Sequence, residues 1–128
     1  MEAERSARTR AEVKPYTDFA VHVAPAQGGG TDVAIFGELD LATLDKVERA
    51  LDEAIAAEGR VVIDLRACGF VDSRGIAALV KAALRLRDLD RDLVIEGVQE
   101  RVMRTFELAG ITSMDHMDIR REEPPEQS

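Results

Sequence analysis

Apolar and polar residues alternate with two different periods along this chain, and the periods predict strands and helices in turn. Between positions 18 and 24 the large apolar residues stand at every second position, which is the period of a strand with one buried face. The turn-forming run at 25–30 separates this strand from a second apolar run at 33–36. The first two strands are therefore predicted to form a hairpin.

Further along the chain the apolar pattern shifts between helical spacing and the short continuous runs typical of buried strands. The predicted elements are a helix at 42–57, a strand at 61–65, a helix at 73–89, a strand at 93–95, a helix at 98–109 and a weak edge strand at 114–119. This order indicates one α/β domain with a mostly parallel mixed sheet, entered by the N-terminal hairpin. We place the domain at 16–119, between a disordered leader at 1–15 and a disordered tail at 120–128.

Capping residues mark the ends of two predicted helices. Asp40 is expected to cap the first helix at its N-terminus, and Leu41 to begin its inward apolar face. Gly59 lies where the C-terminal glycine of that helix belongs. Gly110, followed by Ile111, fits a Schellman-type end of the last helix.

Composition limits the classes of partner. The chain has 128 residues, of which 33% are charged, and a formal net charge of −8. Such a chain has no electrostatic reason to bind nucleic acid or an anionic membrane, whereas a basic or mixed-charge protein partner is compatible with it. No run approaches the about 20 apolar residues of a membrane span, and residues 1–10 lack the apolar region of a signal peptide. We therefore expect a cytoplasmic protein.

Metal and cofactor chemistry has little support in the residues. The single cysteine, Cys68, excludes an internal disulfide and a multi-cysteine metal site, and is expected to fill core space. Asp40, Asp64 and Asp72 lie near predicted strand ends and could gather at one rim of the sheet. Without a histidine or cysteine cluster beside them, no metal and no cofactor is expected.

One hydroxyl stands at a chemically useful place. Asp72-Ser73-Arg74-Gly75 lies between the apolar strand at 61–65 and the helix at 73–89, which puts Ser73 at or beside a helix N-terminus. Unpaired backbone N–H groups and the positive end of the helix dipole favour an anionic group there. A serine so placed can be a cap, a nucleophile or a phosphate acceptor.

The nucleophile has the least support of the three. A nucleophile elbow needs glycine two positions before the serine, and Val71 stands there. The two histidines, His22 and His116, lie on the first strand and near the C-terminus, far from Ser73 along the chain. The glycines at 28–30 precede a strand rather than a helix, so they do not form a phosphate-binding loop. We therefore expect no enzyme, and a small enzyme at the carboxylate rim is the weakest alternative.

A phosphate acceptor has a physical basis. Phosphorylation adds a charge of about −1.5 to −2, which a helix N-terminus tolerates. With Asp72 beside it and Asp40 across the rim, the patch would become strongly negative and repel a partner that docks there. Arg74 could neutralise part of that charge. The tetrapeptide alone leaves open whether Asp72 or Ser73 serves only as an N-cap.

Three further segments accompany this turn, in order and at suitable distances. They are Gly37-Glu38-Leu39-Asp40 with Thr43 in the following helix, Val62-Ile63-Asp64-Leu65, and Val102-Met103-Arg104-Thr105-Phe106-Glu107-Leu108-Ala109-Gly110-Ile111. With Phe70-Val71-Asp72-Ser73-Arg74-Gly75-Ile76 they closely resemble the STAS family (sulphate transporter and anti-sigma factor antagonist domains), specifically the small stand-alone anti-sigma factor antagonists of bacteria. The resemblance spans about residues 17–119. It implies a single STAS-like domain with four or five strands packed by about three to four helices.

The resemblance also implies a mechanism. In this family the serine that matches Ser73 is phosphorylated by the partner anti-sigma factor, which is a serine kinase that uses ATP. The unphosphorylated antagonist binds that kinase and frees a sigma factor, and a metal-dependent serine phosphatase resets the switch. The partner-binding residues that the resemblance implies are Asp40, Thr43, Asp72, Ser73, Arg74, Gly75 and Ile76.

Two departures from the family pattern stand out. Arg74 occupies a position where many relatives carry a second serine or threonine, and the chain ends soon after Ile119, where many relatives continue into a further helix. One face is thus expected to be covered differently, by the N-terminal leader or by a partner. A non-switching STAS scaffold, or a subunit associated with a transporter or stressosome, stays the alternative in which Ser73 is only a cap.

Overall fold

The computed structural model describes residues 19–123, so the leader at 1–15 and residues 124–128 of the predicted tail lie outside the described residues. The described residues form six strands and three helices. The strands are β1 (Ala20–Pro25), β2 (Thr31–Leu39), β3 (Val61–Asp64), β4 (Cys68–Val71), β5 (Leu93–Val98) and β6 (Met117–Arg121). The helices are α1 (Leu44–Ala56), α2 (Ser73–Asp88) and α3 (Glu100–Ala109).

All strands belong to one mixed sheet with the order β1-β2-β3-β5-β6. The hairpin strand β1 runs antiparallel to β2, and every other pairing is parallel. The first half of β2 pairs with β3, with Ala34 opposite Asp64, and its last residues pair with β4, with Leu39 opposite Val71. The predicted α/β fold with hairpin entry and a mostly parallel sheet is confirmed.

Strand β4 is not among the predicted elements. It brings the number of strands to six, where four or five are expected from the resemblance. The strand is four residues long and includes Gly69, so its composition resembles a turn. Its formation depends on the end of β2, because Gly37 pairs with Cys68 and donates its N–H to the carbonyl of Ala67 at 3.0 Å.

The three helices share one hydrophobic core on one face of the sheet. Strands β3 and β5 supply Ile63 and Ile95, both fully buried, from their central positions. Residues of each helix join the same cluster, including Val47, Leu51, Leu79, Leu86, Val102 and Phe106. The carboxyl ends of the parallel strands and the helix N-termini therefore meet at one end of the domain.

Several boundaries differ from the prediction. Helix α1 begins at Leu44 rather than at 42, and Val98 ends β5 instead of beginning the last helix, which starts at Glu100. Strand β6 continues to Arg121, two residues into the segment assigned to the tail. No helix within 19–123 has the length and apolar character that crossing a membrane requires.

The two predicted helix-ending glycines have different roles. Gly110 has φ +75° and Ile111 donates its N–H to the carbonyl of Phe106 at 3.3 Å, which is the expected Schellman arrangement. Gly59 lies three residues beyond α1 and does not cap it. The guanidinium of Arg91 donates to the carbonyls of Ile55, Ala57 and Gly59 at 2.8, 2.6 and 2.8 Å. An arginine from the α2–β5 connection therefore binds one carbonyl of the last turn of α1 and two carbonyls of the segment that follows it.

Candidate functional site

The site is built on the last residue pair between β2 and β4. Leu39 faces Val71 in register, and the N–H of Asp72 donates to the carbonyl of Leu39 at 3.0 Å. Asp40 and Asp72 each follow one member of this pair. Strand pairing thus places the two carboxylates at the same end of the sheet, as the sequence predicts.

Asp72 is the N-cap of α2. Its Oδ1 accepts the backbone N–H groups of Arg74 and Gly75, both at 3.0 Å. Ser73 is the first residue of the helix and is exposed, and within residues 19–123 its hydroxyl takes part in no hydrogen bond. Since the carboxylate of Asp72 already does the capping, the Ser73 hydroxyl has no structural role in the described part of the chain.

Asp40 and Thr43 fix the turn that leads into α1. The Asp40 Oδ1 accepts the N–H of Ala42 at 3.0 Å and that of Thr43 at 3.3 Å. In return, the Thr43 hydroxyl accepts the N–H of Asp40 at 3.0 Å and donates to the carbonyl of Glu38 at 2.7 Å. Asp40 therefore caps the turn before the helix rather than the helix itself, which begins one residue after Thr43.

Gly75 lets α2 approach the sheet closely. It is buried in the first turn of the helix, above the Leu39–Val71 pair. A Cβ atom at this position would lie 2.6 Å from Leu39 Cγ and 2.9 Å from Val71 Cγ1, which is inside van der Waals contact. A glycine is therefore needed here to hold Ser73 near the strand ends.

Arg74 and Ile76 point to different surroundings. Arg74 is exposed and lies along a shallow groove between α1 and α2, with Leu44, Glu48 and Lys81. Ile76 is half-buried and packs against the hydrophobic core. Like the buried Gly75, Ile76 thus makes a structural contact, whereas the exposed Arg74 side chain is available to a partner.

Two large apolar side chains within two residues of Asp40 or Asp72 are exposed. Leu41 lies in the turn after Asp40 and is 62% exposed, so it does not begin the inward face of α1. Phe70 of β4, two residues before Asp72, is 45% exposed. The sequence feature that could have predicted the exposure of Leu41 is the Asp-x-x-Thr spacing of residues 40–43, which favours a turn.

The other candidate residues are not brought to this end of the sheet. Asp64 of β3 lies opposite Ala34 of β2, which precedes Asp40 by six residues. At 3.3 Å per residue, Asp64 is therefore about 20 Å from Asp40 along the direction of β2. The expectation that Asp64 joins the rim is therefore wrong. It is held by Arg66 instead, through hydrogen bonds of 2.9 Å and 3.2 Å. In the described segment no group of three or more histidine, cysteine or acidic side chains is arranged to hold a metal ion.

Neither histidine lies beside Ser73. His22 is on β1, on the other side of β2 from β4, where its ring lies 5.2 Å from that of Phe36. His116 precedes β6 at the amino end of β5, where its carbonyl accepts the N–H of Leu93. Its Nδ1 is 3.0 Å from Asp92. The arrangement offers Ser73 no imidazole base.

Cys68 is fully buried, as predicted for a cysteine that fills core space. Burial raises the pKa of its thiol above the ordinary value of 9.0, and backbone hydrogen bonds from Phe70 and Leu39 oppose part of this rise. The thiol therefore stays protonated at neutral pH and is a poor nucleophile.

The amino-acid sequence is similar to a known protein family and to individual proteins of known name. The family model described as "Mlab, STAS domain" matches residues 22–117. The chain is 36% identical over 84 residues to the anti-sigma-B factor antagonist of Listeria monocytogenes, an alignment that covers 65% of this chain and 74% of that protein. It is 30% identical over 88 residues to the anti-sigma-B factor antagonist of Staphylococcus aureus, which covers 68% and 82% of the two chains.

Solved structures share the fold. An anti-sigma factor antagonist from Mycobacterium paratuberculosis superposes with a TM-score of 0.69 at 22% identity, covering 79% of this chain and 86% of the other. The Bacillus cell fate determinant SpoIIAA in its phosphorylated form gives 0.61 at 17% identity, covering 78% and 90%. Because the family model spans 96 of the 128 residues and the fold agrees, this chain belongs to the STAS domain family.

Proposed function

We propose that this chain is an anti-sigma factor antagonist that is switched by phosphorylation of Ser73. Unphosphorylated, it binds an anti-sigma factor that is a serine kinase, and this binding releases a sigma factor. The observation that carries the proposal is the exposed Ser73 hydroxyl, which makes no hydrogen bond within the described residues because Asp72 supplies the cap.

The effect of a phosphate on Ser73 follows from the hydrogen bonds already present. The N–H groups of Arg74 and Gly75 are taken by Asp72, so they are not free to bind the phosphate. A group of about −1.5 to −2 charge then stands in solvent next to Asp72, at the end of the sheet where Asp40 also lies. The fold has no reason to rearrange, and the change acts on whatever docks there.

Leu41 and Phe70 supply the apolar part of the proposed docking surface. Both are large, exposed and within two residues of Asp40 or Asp72. We propose that the partner covers them while it reaches the Ser73 hydroxyl, as phosphate transfer requires. A phosphate would place its charge inside this contact, where desolvation makes it costly.

The relatives support the same role. Those from Listeria monocytogenes and Staphylococcus aureus are named anti-sigma-B factor antagonists. SpoIIAA, whose fold this chain shares, has been determined in a phosphorylated form. By analogy with these proteins we place the chain in the cytoplasm, with a serine phosphatase that removes the phosphate. We propose no catalytic activity for the chain itself, because Ser73 has no imidazole base beside it.

Phosphate mapping tests the acceptor. The purified chain is incubated with ATP, Mg²⁺ and each candidate anti-sigma factor kinase of the same genome, and the product is mapped by mass spectrometry. We expect one phosphate on Ser73, none on Ser73→Ala, and unchanged modification of Ser113→Ala, which removes another exposed serine. Phosphate on a different residue, or no phosphate with any of these kinases, would overturn the proposal that Ser73 phosphorylation is the switch.

Binding of the same kinase tests the exclusion mechanism. By calorimetry we expect Ser73→Ala to bind like the unmodified chain, and Ser73→Asp to bind at least about tenfold more weakly, or 1.4 kcal/mol. The loss should shrink at high salt because the repulsion is screened. If both variants bind like the unmodified chain, electrostatic exclusion is wrong. Binding by all variants without phosphate transfer would favour a non-switching scaffold.

A further inference from the structure

The sheet face turned away from the helices contains buried apolar side chains. Side chains alternate between the two faces along a strand, so Val62 and Val94 point away from the core that takes Ile63 and Ile95. Val62 and Val94 are nevertheless only 5% and 4% exposed. The three described helices pack on the other face, so none of them covers these valines.

Acidic residues border the two valines. In register, Asp32 lies opposite Val62 on one side, and Asp118 lies opposite Val94 on the other. The next row on this face contains two carboxylates directly opposite each other, Asp64 and Glu96 on neighbouring strands. Like charges in this arrangement are destabilising.

Two arginines only partly offset the acidic groups. Arg66 forms a pair with Asp64 at 3.2 Å, and Arg120 forms one with Asp118 at 2.7 Å. Four carboxylates and two guanidinium groups thus surround a small apolar centre. The face is suited to a segment that has both apolar and basic side chains.

A segment of this composition is joined to the edge of the sheet. Residues 1–18 precede β1, and their central part, residues 5–14, contains four basic side chains, Arg5, Arg8, Arg10 and Lys14, against one acidic side chain, Glu12, along with Ala7, Ala11 and Val13. The remaining acidic side chains, Glu2, Glu4 and Asp18, lie at the two ends of the segment. Strand β1 begins opposite Phe36 of β2, and Val62 of β3 lies opposite Asp32, four residues earlier on β2. With two strand spacings between β1 and β3, the start of β1 lies about 17 Å from Val62. Eighteen residues reach about 27 Å even when coiled as a helix.

We propose that residues 1–18 dock on this face of the same chain, with apolar side chains over Val62 and Val94 and basic side chains against the surrounding carboxylates. The occupant is the chain's own N-terminal segment rather than a second copy. Tethering raises its local concentration, so weak contacts suffice to hold it. The surface lies away from Ser73 and does not depend on the proposed switch.

Paramagnetic relaxation in the full chain tests the docking. A spin label is attached to Arg8→Cys in a Cys68→Ala background, and methyl signals are compared between the labelled and reduced states. We expect Val62 and Val94 to lose most of their intensity, while Val102 and Leu79 on the helix side keep theirs. Equal loss on both faces, or no loss at the two valines, would overturn the proposal.

Two further experiments show whether the signal loss arises within one chain and whether it depends on the basic side chains. In a mixture of isotope-labelled chain without spin label and unlabelled chain with it, we expect no intensity loss at Val62. A loss there would mean that a second copy is the occupant and would overturn the proposal. Reversal of Arg5, Arg10 and Lys14 to Glu should restore the Val62 and Val94 signals, whereas the matched reversal of Glu2, Glu4 and Glu12 to Lys should not.

Discussion

The backbone N–H of Asp72 donates to the carbonyl of Leu39 over 3.0 Å, directly beyond the last paired residues of β2 and β4. This bond ties the start of α2 to the end of β2. The position of Ser73 relative to Asp40 is therefore set by strand pairing and not by a loop that can move independently. Variants that disturb this junction should affect folding stability and partner binding together.

Gly75→Ala should destabilise the protein by about 1–3 kcal/mol, the usual cost of overpacking a core. The added methyl would lie 2.6 Å from Leu39 Cγ, so either the leucine or the helix N-terminus must shift. Urea unfolding at pH 7.5 measures the change in the free energy of unfolding. Because Ser73 moves with the helix, we also expect slower phosphorylation by the partner kinase.

Gly69→Ala is the matched control for this variant. Gly69 lies in β4, has an ordinary negative φ, and a Cβ atom there would meet nothing closer than Gln99 Oε1 at 3.9 Å. Its stability should equal or slightly exceed that of the unmodified chain, since alanine restricts the unfolded state more than glycine does. Equal effects of the two substitutions would show that the close approach at Gly75 is not limiting.

Asp72→Ala should cost about 1 kcal/mol of stability through loss of the N-cap. The carboxylate oxygen accepts two N–H groups, from Arg74 and Gly75, and alanine leaves both to solvent. Asp72→Asn keeps an acceptor oxygen and should be nearly as stable as the unmodified chain, while it removes one negative charge from the rim. Thermal unfolding separates the two variants.

The same pair of variants tests the electrostatic part of the switch. If the charge of Asp72 adds to that of a phosphate, Asp72→Asn combined with Ser73→Asp should bind the kinase more tightly than Ser73→Asp alone. An unchanged affinity would mean that the repulsion comes from the substituted residue by itself. Calorimetry at low ionic strength is the appropriate measurement, since salt screens exposed charges.

Arg91→Ala should destabilise the protein by about 1–3 kcal/mol, because the carbonyls of Ile55, Ala57 and Gly59, in and just after the last turn of α1, lose a charged donor. Arg91→Lys should recover only part of this, since an ammonium group cannot reproduce the planar fork. Arg87→Ala is the control. Arg87 is exposed and its pair with Asp88 spans 3.4 Å, so we expect a change within about 0.5 kcal/mol. Similar losses of stability for Arg91→Ala and Arg87→Ala would show that the three hydrogen bonds of Arg91 do not stabilise the fold.

The sequence predicts those parts of the fold in which local pattern and tertiary packing agree. The helices and the parallel strands have apolar periods long enough to identify them. Strand β4 has no such period, because it is four residues long and its partner, Gly37–Leu39, lies about 30 residues away along the chain. Only the tertiary pairing of these two segments creates the strand.

The same distinction applies to the site. The helix N-terminus at Ser73 follows from a local pattern, a strand followed by an Asp-Ser turn and an apolar-faced helix. That pattern leaves open whether Asp72 or Ser73 is the cap, which the hydrogen bonds of Asp72 decide. The exposure of Leu41 does not follow from such a pattern, since its apolar spacing fits the predicted helix. The hydrogen bonds between Asp40 and Thr43 form a turn there instead, and the helix begins only after Thr43. The role of Arg91 also cannot be predicted from the neighbouring sequence, because the carbonyls that it binds belong to residues more than 30 positions earlier.

Cys68 should make stability depend on pH in the alkaline range. Burial raises the pKa of the thiol above 9.0, so the folded chain keeps a proton that the unfolded chain releases. The stabilising contribution is therefore complete below about pH 9 and is lost as the pH rises from 9 through the folded pKa, with a slope of at most about 1.4 kcal/mol per pH unit.

Comparison with Cys68→Ala isolates this contribution. The variant is less stable at neutral pH because it leaves a small cavity, but its stability should fall less steeply between pH 8.5 and about 10.5, a range of two pH units. Urea unfolding of both chains gives the difference, in which the titration of lysines and of tyrosine cancels. Curves that stay parallel over this range would mean that the thiol titrates equally in the folded and unfolded chains.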